Sequence, residues 1–144
     1  HGKNIAIGDS TLYTLNAGAD GNNVAIGHGA SYAMTTGVSN VSVGQNTLSA
    51  ATVTSNNTAI GTGALSGLDK GSGGSQYTSG NIGIGHNALV GGVPASGSFE
   101  YNIAIGNDAL NSTGTSAGIT GTIAIGASAL RVEHIILFLV VKPM

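Results

Sequence analysis

The nine residues Asn102-Ile103-Ala104-Ile105-Gly106-Asn107-Asp108-Ala109-Leu110 decide how this chain is read, because near-copies of them recur along almost its whole length. The copies occupy 4–12 (NIAIGDSTL), 23–31 (NVAIGHGAS), 40–48 (NVSVGQNTL), 57–65 (NTAIGTGAL), 81–89 (NIGIGHNAL), 102–110 and 122–130 (TIAIGASAL). Neighbouring copies therefore start 17 to 24 residues apart, a period that suits stacked solenoid units rather than independent domains. Each unit contacts mainly its neighbours, so 144 residues form one quasi-linear array.

Positions two and four of the motif are β-branched in every copy: Ile5/Ile7, Val24/Ile26, Val41/Val43, Thr58/Ile60, Ile82/Ile84, Ile103/Ile105 and Ile123/Ile125. Side chains two apart share one face of a strand, and the expectation is that these pairs point into the core. The residue between them is always small (Ala6, Ala25, Ser42, Ala59, Gly83, Ala104, Ala124), so something should pack closely against the opposite face. Position five is Gly in all seven copies, which calls for a positive φ or a close backbone approach. Leu ends six copies and reads as the inward side chain of a second short strand; Ser31 breaks that column. Parallel stacking at about 4.8 Å per coil gives a rod of roughly 34 Å and puts the leading Asn in a column able to hydrogen-bond along its length, with Thr122 as the exception.

Composition narrows the function classes. Charged residues make up 7% and aromatics 4%, Gly accounts for 25 positions, and the net charge is -2. With only four Lys and Arg there is no electropositive stripe for nucleic acid. The chain contains no Cys, which excludes disulfides and thiolate-bound metal. The longest apolar run, 135–141, is far short of the roughly 20 residues of a membrane helix, so no membrane span is expected. The start at His1, without Met, suggests a processed product or a fragment.

The spacers should be loops that carry the variable chemistry. The longest, 66–80, contributes Asp69, Lys70, Gln76 and Tyr77, and 90–101 contributes Phe99, Glu100 and Tyr101. These seven residues are the candidate receptor contacts. After residue 130 the composition changes to RVEHIILFLVVKPM, so the repeat solenoid is placed at 1–130 and a C-terminal cap or exchanged strand at 131–144.

The Asn-x-Ala-Ile-Gly units resemble the head repeats of trimeric autotransporter adhesins. The longer form ending Ala-Leu, at Ala64-Leu65, Ala88-Leu89, Ala109-Leu110 and Ala129-Leu130, is similar to repeats of bacteriophage tail fibres. The resemblance spans 4–130. It implies an all-β, parallel β-solenoid (β-roll or β-helix) of seven coils, in an intertwined or side-by-side homotrimer that attaches to a host surface. The spacers are longer than in the compact adhesin head, and no anchor β-barrel follows, which favours a virion tail fibre over a bacterial surface adhesin. Expected partners are further copies of the chain, other fibre proteins and a host glycan or protein. A passive fibre spacer and a fibre-borne glycan hydrolase are the alternatives.

No cofactor, metal or catalytic residue is assigned. Gly83-Ile84-Gly85-His86-Asn87-Ala88 matches a dinucleotide fingerprint only formally, since it is the repeat itself with no helix predicted after it. His28 and His86 share a motif position three copies apart, about 14 Å in a stack, too far to share an ion. Asp69, Glu100 and Asp108 could supply a carboxylate pair only across a trimer interface, and their spacing does not point to one. The sequons at Asn40, Asn56 and Asn111 are those expected of an Asn/Ser/Thr-rich chain. Neither the Thr-x-Thr column of an ice-binding solenoid nor the Asp register of a calcium-binding β-roll is present.

Overall fold

The computed structural model describes residues 2–16, 20–68, 77–91, 99–111 and 119–130. These are all-β with no helix, and they form a parallel β-solenoid. The strands are β1 (Ile5–Ile7), β2 (Val24–Ile26), β3 (Val41–Val43), β4 (Thr54–Ser55), β5 (Thr58–Ile60), β6 (Tyr77–Thr78), β7 (Ile82–Ile84), β8 (Phe99–Glu100), β9 (Ile103–Ile105), β10 (Ile119–Thr120) and β11 (Ile123–Ile125). Seven of them, one per motif copy, form a single sheet in the order β1-β2-β3-β5-β7-β9-β11. Every pairing is parallel without offset, so Ile5, Val24, Val41, Thr58, Ile82, Ile103 and Ile123 form one column. The short strands pair separately, β4 with β6 and β8 with β10.

The sheet faces the opposite way from the sequence expectation. The small residues are inside: Ala25, Ser42, Ala59 and Ala104 are fully buried and Ala124 nearly so, while Ile5, Ile7, Ile123 and Ile125 are 52–67% exposed. The reason is the thinness of the coil. Leu48, Leu65, Leu89 and Leu110 project into the interior and are 0–2% exposed. A Cβ built on Gly83 would lie 3.2 Å from Leu65 Cγ and 3.1 Å from the Ala88 carbonyl oxygen. The space opposite a Leu thus admits Gly or Ala, and the β-branched pairs must face outward. The close packing that the small column calls for comes from the chain's own Leu column.

Those leucines do not lie in a second strand. They sit in a turn with Leu12, Leu48, Leu65, Leu89 and Leu110 at φ 48° to 57°, the left-handed region that costs an L-residue of order 1 kcal/mol or more. Burial of the side chain offsets that strain. Ser31 adopts the same conformation (φ 52°) and is buried, where its hydroxyl shares a 2.9 Å hydrogen bond with Ser42. Ser42 is the one Ser in the small column, so the two departures from the motif satisfy each other.

The motif glycines meet both demands at once. Gly106 has φ +133°, and a Cβ there would approach the Gly126 carbonyl oxygen to 2.5 Å. The backbones of successive turns are therefore in contact at this corner.

The Asn column forms a buried ladder. The backbone N–H groups of Asn23, Asn40, Asn57, Asn81, Asn102 and Thr122 each donate to the Oδ1 of the preceding Asn at 2.9–3.0 Å. From Asn40 to Asn102 the Nδ2 group also donates to that same Oδ1, at 3.0–3.4 Å. The second Nδ2 hydrogen reaches a carbonyl, as from Asn81 to Phe99 at 3.0 Å and from Asn102 to Ile119 at 3.0 Å. The carboxamides of Asn40, Asn57, Asn81 and Asn102 thus pin the main ladder to β4, β8 and β10. Because Asn81 is fully buried, Asn81→Ala should lower unfolding free energy by roughly 3 kcal/mol in urea titrations. Asn4→Ala, at the solvated end of the ladder, should cost under about 1 kcal/mol. Equal effects at the two positions would refute this role for the ladder.

Candidate interaction surface

Turning the sheet outward leaves a face of two columns, fourteen side chains, of which thirteen are Ile or Val and the other is Thr58. None is charged. Most central members are half-buried, because residues one turn above and below shield their flanks, whereas Ile60 on β5 and the members of β1 and β11 at the ends of the sheet are exposed. At about 4.8 Å per strand, six intervals make this face roughly 29 Å long. A continuous apolar surface of this extent is uncommon on a solitary soluble chain, which makes this face a candidate interaction surface.

A polar column borders that face. Asp9, His28, Gln45, Thr62, His86 and Asn107 occupy the position after the motif Gly, and all are exposed. His28 Nε2 lies 3.6 Å from Asp9 Oδ2, and Asn107 Nδ2 donates to Asp108 Oδ2. No group of three or more His, Asp or Glu side chains able to hold a metal occurs among the described residues. No helix among them is long and apolar enough to cross a membrane. Gly83 and Ile84 lie in β7 and Gly85–Ala88 in the turn after it, so the residues of the formal dinucleotide fingerprint have no helix N-terminus to offer a phosphate. Asn40 is a buried ladder residue, which leaves its sequon inaccessible.

Of the sequence-derived receptor contacts, Tyr77, Phe99, Glu100 and Tyr101 lie among the described residues. Asp69, Lys70 and Gln76, together with the proposed cap at 131–144, lie outside the described residues. Tyr77 begins β6, with its backbone paired in register to Thr54. Phe99 begins β8 and is only 5% exposed, a core residue with little surface to offer a ligand. Glu100 is half-buried on the outward side of β8, in register with exposed Thr120 on β10.

Tyr101 is 57% exposed and has φ +58°. Its column comprises Lys3, Asn22, Ser39, Asn56, Gly80, Tyr101 and Gly121, all with φ between 51° and 64°. Asn and Gly accept this conformation readily, and a bulky aromatic does not. The Tyr101 ring covers Gly80, where an added Cβ would lie 3.0 Å from Tyr101 Cδ1. Beyond it, a Cβ built on Gly121 would meet no described residue within 4 Å.

Two further aromatics, Tyr13 and Tyr32, stack with centroids 5.3 Å apart and planes 2° from parallel. Sequence reasoning passed them over as spacer residues, although each follows the ninth motif position of its copy. The in-register repeat could have placed them together.

Compared with known families, curated proteins and solved structures, the chain matches no family model, no curated protein and no solved structure.

The left-handed backbone at Tyr101 gives a direct test. Tyr101→Asn relieves the strain and gives up little burial, so thermal denaturation should show stability unchanged or raised by up to about 1 kcal/mol. A loss of more than about 1 kcal/mol would mean that the ring is a packing residue.

Proposed function

We propose that this chain is a structural and adhesive segment of a homotrimeric attachment fibre, borne on a phage particle, in which each motif copy forms one of seven coils. The observation that carries the reading is the outward Ile/Val face. It is flat, uncharged and repeats at strand spacing, so a second copy offers the same pitch and the same chemistry. Burying such columns against one another removes from water an area of order several hundred Å² per chain, at about 25 cal/mol per Å². That drive is the physical reason for assembly. The number three, and the setting on a tail fibre rather than a bacterial surface, follow from the motif's resemblance and its long spacers.

In this reading the rod holds and displays; it does not catalyse. Its exposed turns and spacers are arrayed in parallel by three chains, and weak contacts multiply through that valency. The polar column of Asp9, His28, Gln45, Thr62, His86 and Asn107 lies beside the apolar face and forms the solvated rim of the assembly.

Mass in solution tests the proposal. Sedimentation equilibrium of the unmodified chain should give three times the chain mass at micromolar concentration. The double variant Ile84→Asp, Ile105→Asp should sediment as a monomer and keep its β-type circular dichroism, because both side chains face outward and a carboxylate buried at the interface costs several kcal/mol. A monomeric wild-type chain would overturn the reading. So would a double variant that still assembles.

A further inference from the structure

We propose that Tyr101, with Glu100 and Thr120 beside it, is a subsite for one neutral hexopyranose ring of a surface glycan. The proposal rests on the attachment reading for its biological setting, but its chemistry is local to one corner of the rod. Three observations support it. The Tyr101 side chain sits at a left-handed position whose other occupants include two Asn, two Gly and a Ser. It is 57% exposed, so core packing does not offset the strain. Gly80 on one side of it supplies a flat bed for the ring, and on the other a Cβ built on Gly121 would meet no described residue within 4 Å. Neither stability nor conformational preference selects Tyr here, and strain kept at an exposed aromatic points to a ligand.

The surroundings indicate which ligand. In β8 and β10 Phe99 and Ile119 turn inward, so Glu100 and Thr120 turn outward, and their in-register pairing places them side by side. The Tyr101 N–H donates to Ser79 O and the Gly121 N–H to Glu100 O, which fixes the corner to the turns before and after it. An exposed aromatic plane accepts the C–H face of a pyranose, a carboxylate accepts hydrogen bonds from vicinal hydroxyls, and a Thr hydroxyl serves as donor or acceptor. Among the described residues Glu100 is the charged group at this corner, so acidic sugars are disfavoured and neutral ones fit. The stacked Tyr13 and Tyr32 lack this arrangement. Each occupies one face of the other, and Thr14 beside them donates its hydroxyl to backbone carbonyls of the next turn.

Saturation-transfer NMR and titration calorimetry with lactose and cellobiose, on the assembled full chain, test the subsite. At least one of the two sugars should bind in the millimolar range, with transfer strongest to the C–H protons of one ring face. Tyr101→Asn should weaken binding about ten-fold or more, Tyr101→Phe should stay within about three-fold, and Tyr13→Ala should leave it unchanged. Absence of transfer from both sugars overturns the proposal, as does wild-type affinity in Tyr101→Asn. Binding of sialyllactose in preference to lactose overturns it too, because it contradicts the role of Glu100. Sedimentation of the same samples keeps this outcome separate from the fate of the trimer, since a trimer that binds neither sugar refutes the subsite alone.

Discussion

At the start of each motif strand, successive turns of the rod are tied by backbone hydrogen bonds of one length. The N–H of Ile5 reaches Asn23 O at 2.8 Å, and the same bond recurs at Val24, Val41, Thr58, Ile82 and Ile103. With the spacing so fixed, each side chain meets its counterparts one turn above and one turn below. The column, rather than the turn, is then the unit that chemistry acts on. Gly fills the column in which backbones touch. Asn fills the one in which a side chain must accept from above and donate below, because a carboxamide does both. Charge is nearly absent from the columns, since like charges about 4.8 Å apart repel and a run of them would be costly. The low charge content of the chain follows from its stacking.

This explains how much of the fold is legible in the sequence. The motif strands, their parallel register, the special backbone at the fifth position and the Asn ladder all follow from seven aligned copies. The facing of the sheet did not. Alternation in Ile103-Ala104-Ile105 says that two faces differ, and burial of large apolar residues is the ordinary rule, but the interior of a coil this thin cannot take two columns of Ile opposite a column of Leu. Steric room reversed the hydrophobic preference. The Leu turn was hidden for a related reason: left-handed φ at Leu is disfavoured locally and is tolerated because the side chain reaches the core, a tertiary effect that local propensity does not carry. Ser31 shows the same limit. Alone it is a defect in the Leu column, and with Ser42 it is a buried hydroxyl pair.

The candidate site was legible in part and for different reasons. Glu100 and Tyr101 were reachable because large side chains in a spacer are conspicuous. Phe99, next to them, belongs to the core because β8 alternates, and its two-residue strand is too short to announce itself in sequence. The apolar outer face was invisible as a surface for as long as its residues were assigned to the interior.

The division between columns and exceptions bears on where specificity can reside. A residue that repeats in every turn presents the same chemistry every 4.8 Å or so, which suits binding to another copy of the same lattice and discriminates poorly among other partners. Discrimination requires a position where the column can be broken while the turns above and below stay in register. The exposed left-handed corner is such a position: its backbone is fixed by the turns on either side, its side chain points to solvent, and Lys, Asn, Ser, Gly and Tyr all occupy it without disturbing the register. On the proposed function, assembly and recognition would fall to different columns of one rod, and a change at the corner would leave the Ile/Val face and the Asn ladder intact.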